Sequence, residues 1–417
     1  MAGFTVVEHT LPGQHIREYF HATISGQDEE LLLHVKQYIP NDNQPRDRHR
    51  EGVTLIAAHS NAYSKETYEP LWEDLTARLQ KAGVVVNAIW MADVAHQGTS
   101  GLLNEQKLGS DPHWFDHSRD LLHLVNHFRK QITRPILGIG HSMGAAQMVH
   151  LSTLHPRLFH SLILLDPVIH TEAFRDGSLA KGATFRKDVW PTKEQAASSV
   201  RRSKFYQTWD ERVKDRVIQY GFRQRPGTNA STSAEVTMVT NKHQEAFTLA
   251  RPNFEGVGVR GAATADEKLM HPDIYPEDES KAPFYRSEIR TAFFELSSLR
   301  PSVLFVFGEK SPFRREERMK RYVEHTGTGV GGSGGVKTGR VQFSTVEGGH
   351  FFPFENIGKT ADTLGDWIQA EVERSRCDEK LMAEKWQGKK GPHRQIVDGR
   401  WIQEIKTWSG RTPVSKL

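Results

Sequence analysis

The 417 residues carry 55 lysines and arginines against 51 aspartates and glutamates, a net charge of +4, and 37% of them are hydrophobic. That apolar share allows a sizeable buried core and excludes a globally disordered chain, and the interspersed charges give no reason to expect a nucleic-acid partner. The only cysteine, Cys377, excludes an intrachain disulfide, and no apolar run approaches the ~18–20 residues of a membrane span.

Residues 15–20 and 31–38 are expected as two opening strands. Residues 53–59 form a largely apolar strand and 68–81 a helix; 84–91 form the next strand and 118–131 the next helix. Residues 135–140 are a short buried strand, followed by a small-residue helix over 145–154 and an apolar strand over 161–165 that ends at Asp166. The rhythm breaks after Pro167. Between there and Arg300 lie longer helical segments (193–220) and one alternating segment (234–240), so residues 167–300 are expected as an inserted, largely helical cap. The α/β alternation resumes with strands at 303–307 and 341–346 and helices at 314–324 and 360–374. A mostly parallel sheet flanked by helices is thus expected from residues 1–166 and 301–375, with 376–417 as a C-terminal extension.

Three features invite a wrong reading. The glycine-rich run 327–339 nearly spells a phosphate loop, but Val336 stands where that motif needs glycine, and the segment does not join a strand to a helix. The pairs His113/His117 and His123/His127 have helical spacing, yet nothing around them completes a metal-ligand pattern; they are expected on a polar helix face. Cys377 has basic neighbours but no nucleophile motif, so it reads as a surface thiol. No metal or organic cofactor is called for.

The chemistry concentrates at Gly140-His141-Ser142-Met143-Gly144. A strand must turn sharply into a helix to project a serine Oγ from the sheet edge, and the crowding on both sides demands Gly140 and Gly144. This resembles the nucleophile elbow of α/β hydrolases, and the resemblance implies Ser142 as nucleophile. A serine needs a base, for which the fold uses a histidine after the last strand; Glu347-Gly348-Gly349-His350 supplies His350. The acid is expected after one of two strands. At Gly308-Glu309-Lys310-Ser311 the usual aspartate position holds Ser311, which leaves only Glu309; at Leu164-Leu165-Asp166-Pro167 an aspartate is present, and Asp166 is preferred. The oxyanion hole needs two backbone N–H groups. Met143 is expected to provide one and Asn61 the other, with Ala62 or Tyr63 as alternatives.

Further phrases extend the likeness: Ala58-His59-Ser60-Asn61, Asp93-Val94-Ala95-His96-Gln97-Gly98-Thr99-Ser100 and Gly13-Gln14-His15-Ile16-Arg17-Glu18-Tyr19. With the terminal Ser415-Lys416-Leu417, a receptor-read peroxisomal address, the chain resembles fungal toxin- and secondary-metabolite-biosynthesis hydrolases, among them the acyl-CoA hydrolases of mycophenolic acid biosynthesis. The tripeptide predicts recognition by the import receptor and a place in the peroxisomal matrix, and the resemblance implies a serine–histidine–aspartate thioesterase with Asp166 as acid. It implies an acyl-CoA or ester substrate and a homodimer. A carboxylic-ester hydrolase or lipase, or a non-hydrolytic acyltransferase or cyclase, would use the same residues. Within the cap, Arg201, Arg202, Lys204 and Trp209 are the substrate-contact candidates. The basic run 201–225 reads first as a solvated helix face and its aromatic residues as cap-to-core packing.

Overall fold

A computed structural model describes residues 3–41, 52–172, 177–227, 234–254, 264–276, 282–387 and 395–409. The chain forms two compact units, Met1–Glu371 and Val372–Leu417.

The first unit is built on an eight-stranded sheet. Its first strand, β1 (Phe4–Pro12), pairs antiparallel with β2 (Leu32–Pro40). Residues 15–20, expected as a strand, are instead a turn. Ile16 has φ 62°, and the Arg17 guanidinium turns inward to meet Asp120 at 3.0 Å. The segment is therefore a tight turn that buries Arg17 and Tyr19 and leaves Ile16 and Phe20 exposed, not a pleated strand.

After β3 (Val53–Ala58) and α1 (Glu69–Lys81) come β4 (Val86–Ala92), α2 (Gly98–Leu103) and α3 (Asp116–His127). Then follow β5 (Ile136–His141), α4 (Met143–Leu154) and β6 (Ser161–Leu165). All residues of β3, β5 and β6 are buried, as expected of central parallel strands covered on both faces.

The insertion holds α5 (Ser178–Phe185), β7 (Val189–Trp190), α6 (Lys193–Arg202), α7 (Glu211–Tyr220), β8 (Phe222–Gln224) and β9 (Val236–Met238). It continues through α8 (Lys242–Leu249), β10 (Arg251–Pro252), α9 (Ala265–Met270) and β11 (Phe284–Tyr285). Strands β7, β9 and β8 make a small sheet, and β10 pairs with β11. Helix α10 (Ser287–Glu295) returns to the core, where Ile289, Ala292 and Phe293 join the main apolar cluster.

β12 (Ser302–Gly308), α11 (Glu316–His325), β13 (Val341–Val346), α12 (Phe352–Glu355) and α13 (Ile357–Gln387) follow. The glycine-rich run lies between α11 and β13, where Gly327, Gly331, Gly334, Gly335 and Gly339 take positive φ around a 3-10 turn. It leads from a helix into a strand, the reverse of a phosphate loop. In the second unit lies α14 (Gly399–Ser409), and Cys377 is exposed. No described helix is long and apolar enough to cross a membrane.

Strand order is β1-β2-β4-β3-β5-β6-β12-β13, parallel from β4 onward. Register then places the site. Ala58 lies beside Gly140, Gly140 beside Leu164, and Leu164 beside Phe305. The loops after β3, β5, β6, β12 and β13 consequently leave one edge of the sheet together, the edge where ligands bind in open α/β folds.

Candidate active site

The elbow follows β5 directly. Ser142 sits at φ 59°, ψ −115°, and its N–H donates to the Leu165 carbonyl at 2.9 Å, tying the turn to β6. A Cβ at Gly144 would strike the carbonyls of Ala58 and His59, and one at Gly140 would strike the backbone of Gly144 and Ala145. Both glycines are therefore steric requirements of the turn.

His350 reaches the elbow from the loop after β13. Its Nε2 is 2.9 Å from Ser142 Oγ and its Nδ1 is 2.5 Å from Asp166 Oδ2. Asp166 is fully buried at the end of β6 with φ 39°, and its carboxylate also accepts from the Gly308 N–H at 3.2 Å and from Ser311 Oγ at 2.5 Å. Ser311, which stands where the acid is often found, thus supports the aspartate of the neighbouring strand. Glu309 points to solvent, and no described hydrogen bond joins its carboxylate to His350.

The loop after β3 is held from three sides. His59 Nδ1 meets the Ser60 carbonyl at 2.8 Å while its Nε2 accepts the Val94 N–H at 2.9 Å. Ser60 N–H donates to the Tyr68 hydroxyl at 2.9 Å. Gln97, fully buried, accepts the Ala62 N–H at 2.8 Å and donates to Asn61 Oδ1 at 2.5 Å. Ala62, with φ 75°, therefore spends its N–H on Gln97 and drops out as an oxyanion donor. Among the described residues no hydrogen bond takes the Asn61 N–H, and Met143 opens α4, where the first-turn N–H groups lack intrahelical partners.

Buried ionic groups brace these loops. Lys65, fully buried, pairs with Asp93 at 2.6 Å and Glu66 at 3.1 Å. Asp93 in turn accepts the Lys65 and Thr99 N–H groups, so one carboxylate organises the loops after β3 and β4. Burial pushes His141 down to about 3, with His350 beside it adding to the shift, and burial takes His96 to about 3 as well. Both rings are neutral at physiological pH.

The cap candidates separate. Arg201 pairs with Glu211 at 3.0 Å and Asp215 at 2.6 Å, whereas Arg202 and Lys204 are exposed. Arg212 meets Asp74 at 2.7 Å, Arg216 meets Glu69 at 3.0 Å, and Arg223 meets Glu105. Trp209 is buried against Phe354 (4.8 Å between centroids), Phe351 (5.2 Å) and Tyr63 (5.1 Å), so it packs the cap onto the loop beside His350.

Of the helix-spaced histidines, His123 and His127 are exposed, but His113 and His117 are buried rather than on a polar face. His113, Asp273 and Glu288 bring ligand atoms within 4.8 Å of one another. Their acids are already met by guanidinium groups, Glu288 by Arg286 at 3.0 Å and Asp273 by Arg251 at 3.2 Å, an arrangement that neutralises charge without a metal. The terminal Ser415, Lys416 and Leu417 lie outside the described residues.

The sequence profile of the alpha/beta hydrolase family matches residues 55–356. Over 97% of this chain and 95% of its own length, the type I acyl-CoA thioesterase mpaH of Penicillium brevicompactum is 39% identical. The protein of the same name from Penicillium roqueforti is 37% identical over 98% of this chain and 97% of its length. The abhydrolase domain-containing protein AFT2-1 of Alternaria alternata is 27% identical over 57% of this chain and 84% of its own. Among solved structures, the peroxisomal alpha-beta-hydrolase Lpx1 of Saccharomyces cerevisiae superposes with a TM-score of 0.69 at 15% identity, covering both chains fully, which speaks to the fold.

Proposed function

The chain belongs to the alpha/beta hydrolase family and is a hydrolase, and from that premise we propose that it is a serine thioesterase cleaving an acyl-CoA to the free acid and CoA, in the peroxisome, within a fungal secondary-metabolite pathway. The observation that carries the chemistry is the chain of hydrogen bonds Ser142–His350–Asp166 at the open edge of the sheet. The extent of the likeness to the Penicillium thioesterases supports the substrate class.

In this reading His350 Nε2 takes the Ser142 proton as Oγ attacks the thioester carbonyl. Asp166 holds the Nδ1–H tautomer and balances the imidazolium. The negative oxygen of the tetrahedral intermediate lies between the Met143 and Asn61 N–H groups, each worth roughly 3–4 kcal/mol in the transition state. Collapse expels the CoA thiolate, which takes the proton from His350. Water, deprotonated by the same imidazole, then attacks the acyl-serine and releases the acid and the free hydroxyl. No step calls for a metal or an organic cofactor.

The test is CoA-thiol release from a panel of acyl-CoAs, with Ser142→Ala as control. Release that vanishes in the variant is the expected result; mutant-sensitive cleavage of simple esters with no thiol release would overturn the thioester assignment. Import is tested by expressing a fluorescent fusion with and without Ser415-Lys416-Leu417, since punctate signal that persists without the tripeptide would remove the proposed address. A homodimer belongs to the same reading, and a monomeric mass by light scattering would refute it.

A further inference from the structure

The strand that leads to the base, β13, lies three strands away from β5, so sheet register alone does not fix His350 against the elbow and the oxyanion loop. The loop carrying it contains Gly348 at φ 139° and Gly349, which leave its backbone unusually free. A second chain of hydrogen bonds, outside the triad, spans this gap. Ser60 N–H donates to Tyr68 Oη at 2.9 Å, Tyr68 Oη is 2.8 Å from His141 Nδ1, and His141 Nε2 is 2.9 Å from the His350 carbonyl oxygen.

The directions follow from the end of the chain. A carbonyl oxygen only accepts, so neutral His141 carries its proton on Nε2 and donates it to His350. Its Nδ1 is then a lone pair and takes the Tyr68 proton at 2.8 Å, the shorter of the two contacts open to that proton, Ser60 Oγ being 3.1 Å away. The Tyr68 oxygen accepts from the Ser60 N–H. Ser60, Tyr68 and His141 are all buried, and Phe354 packs on both rings, at 4.8 Å from Tyr68 and 5.7 Å from His141. With burial holding the His141 pKa near 3, the tautomer is unchanged across the pH range in which an imidazole base operates.

We propose that Tyr68 and His141 are positioning residues that tie the backbone of His350 to the loop bearing the Asn61 N–H, so that base and oxyanion donor meet one carbonyl in fixed geometry. The proposal rests on the serine-hydrolase reading above. Neither residue touches the substrate; each acts through the chain, and a displacement near 1 Å at the reacting atoms costs roughly 100-fold in rate.

The experiment compares Tyr68→Phe, His141→Gln, His141→Leu and the double variant Tyr68→Phe/His141→Leu in the full-length protein, by acyl-CoA turnover and by the rate at which a fluorophosphonate labels Ser142. Tyr68→Phe removes only the hydroxyl and is expected to lower kcat roughly tenfold with KM held within about twofold. His141→Leu is expected to lose roughly 100-fold, and His141→Gln, which keeps a donor for the His350 carbonyl, to recover part of that loss. The double variant should be no worse than His141→Leu, because the residues act as one unit.

Variants that fold yet keep kcat and labelling rate within about twofold of the parent overturn the proposal, as does a rise in KM at unchanged kcat. If His141→Leu fails to fold, Tyr68→Phe and His141→Gln decide alone. Wild-type protein that labels with the phosphonate but releases no CoA would sink the thioesterase reading, while the labelling rates still judge the positioning role.

Discussion

Ser311, in the loop after β12, and His350 both meet the Oδ2 of Asp166, at the end of the neighbouring β6, which suggests moving the acid from 166 to 311. Asp166→Asn keeps the shape but offers His350 Nδ1 an amide that cannot balance an imidazolium; the expected loss is roughly 10⁴-fold in kcat, about 5.5 kcal/mol. Ser311 Oγ is 2.5 Å from the oxygen that His350 itself contacts at 2.5 Å, and the side chain is almost fully buried. An aspartate at 311 extends one atom further along that path, so Asp166→Asn/Ser311→Asp should regain roughly 100-fold, about 2.7 kcal/mol, short of full activity because the new carboxylate lacks the Gly308 N–H that Asp166 accepts. Ser311→Asp alone sets two carboxylates within bonding distance in a buried site, raises the pKa of one, and should lose activity and stability together. The assay is thiol release followed with a chromogenic reagent; exposed Cys377 adds one fast equivalent per chain that is separated from continuing turnover. A folded double variant no better than Asp166→Asn would refute the argument that the two loops serve one imidazole. Asp166→Asn within about tenfold of the parent would remove Asp166 as the acid.

Gln97→Leu strips the Ala62 N–H and the Asn61 side chain of their partner, and kcat should fall roughly 10- to 100-fold in the same thiol assay as the oxyanion loop loosens. Lys65→Met leaves Asp93 and Glu66 as buried charges that have lost a cation, and urea unfolding should show a loss of about 3–5 kcal/mol. Burial raises Asp116 to about 6 despite Arg17 and Arg119 nearby, so the folded state binds its proton more tightly than the unfolded one. Its contribution is therefore present below pH ~3.8 and is lost as pH rises through about 6, a swing of up to about 3 kcal/mol. Asp116→Asn should accordingly gain stability relative to the parent between pH 4 and 7, and a pH-independent difference in urea midpoint would refute that shift.

The central strands were legible because a strand buried on both faces must be apolar along its length, and 53–59, 135–140 and 161–165 fall on β3, β5 and β6. Residues 15–20 misled because their apolar members do not mark a core face: the turn that swings Arg17 onto Asp120 buries Arg17 and Tyr19 and leaves Ile16 and Phe20 exposed. Of the two- and three-residue strands of the insertion, β9 falls within the alternating segment 234–240, and the others are too short to imprint a period. At the site, Ser142 and His350 stood out because a serine elbow and a glycine-freed histidine leave local marks, and Asp166 because it ends a strand. Tyr68 and Gln97 left none. Tyr68 meets His141 across 73 residues of chain, a partnership created by sheet order alone.

The basic run of the cap shows why charge in a sequence underdetermines its use. What separates its members is the burial of the partner. Arg201 faces Glu211 and Asp215 with all three side chains about half or more exposed, and such pairs are worth roughly 0–1 kcal/mol, so a phosphate could replace those carboxylates at little cost. Arg216 instead meets Glu69, whose side chain is 2% exposed and which Lys36 approaches from the other side at 3.5 Å. Withdrawing that arginine would leave a buried carboxylate short of a cation, so Arg216 is committed to holding α7 against the start of α1. Arg212, bridging to Asp74 of α1, and Arg223, bridging to Glu105, repeat the pattern from more exposed positions. Arg216, Arg212 and Arg223 thus join the insertion to the core, whereas Arg201 and Arg225 pair with solvent-accessible carboxylates and Arg202 and Lys204 are exposed.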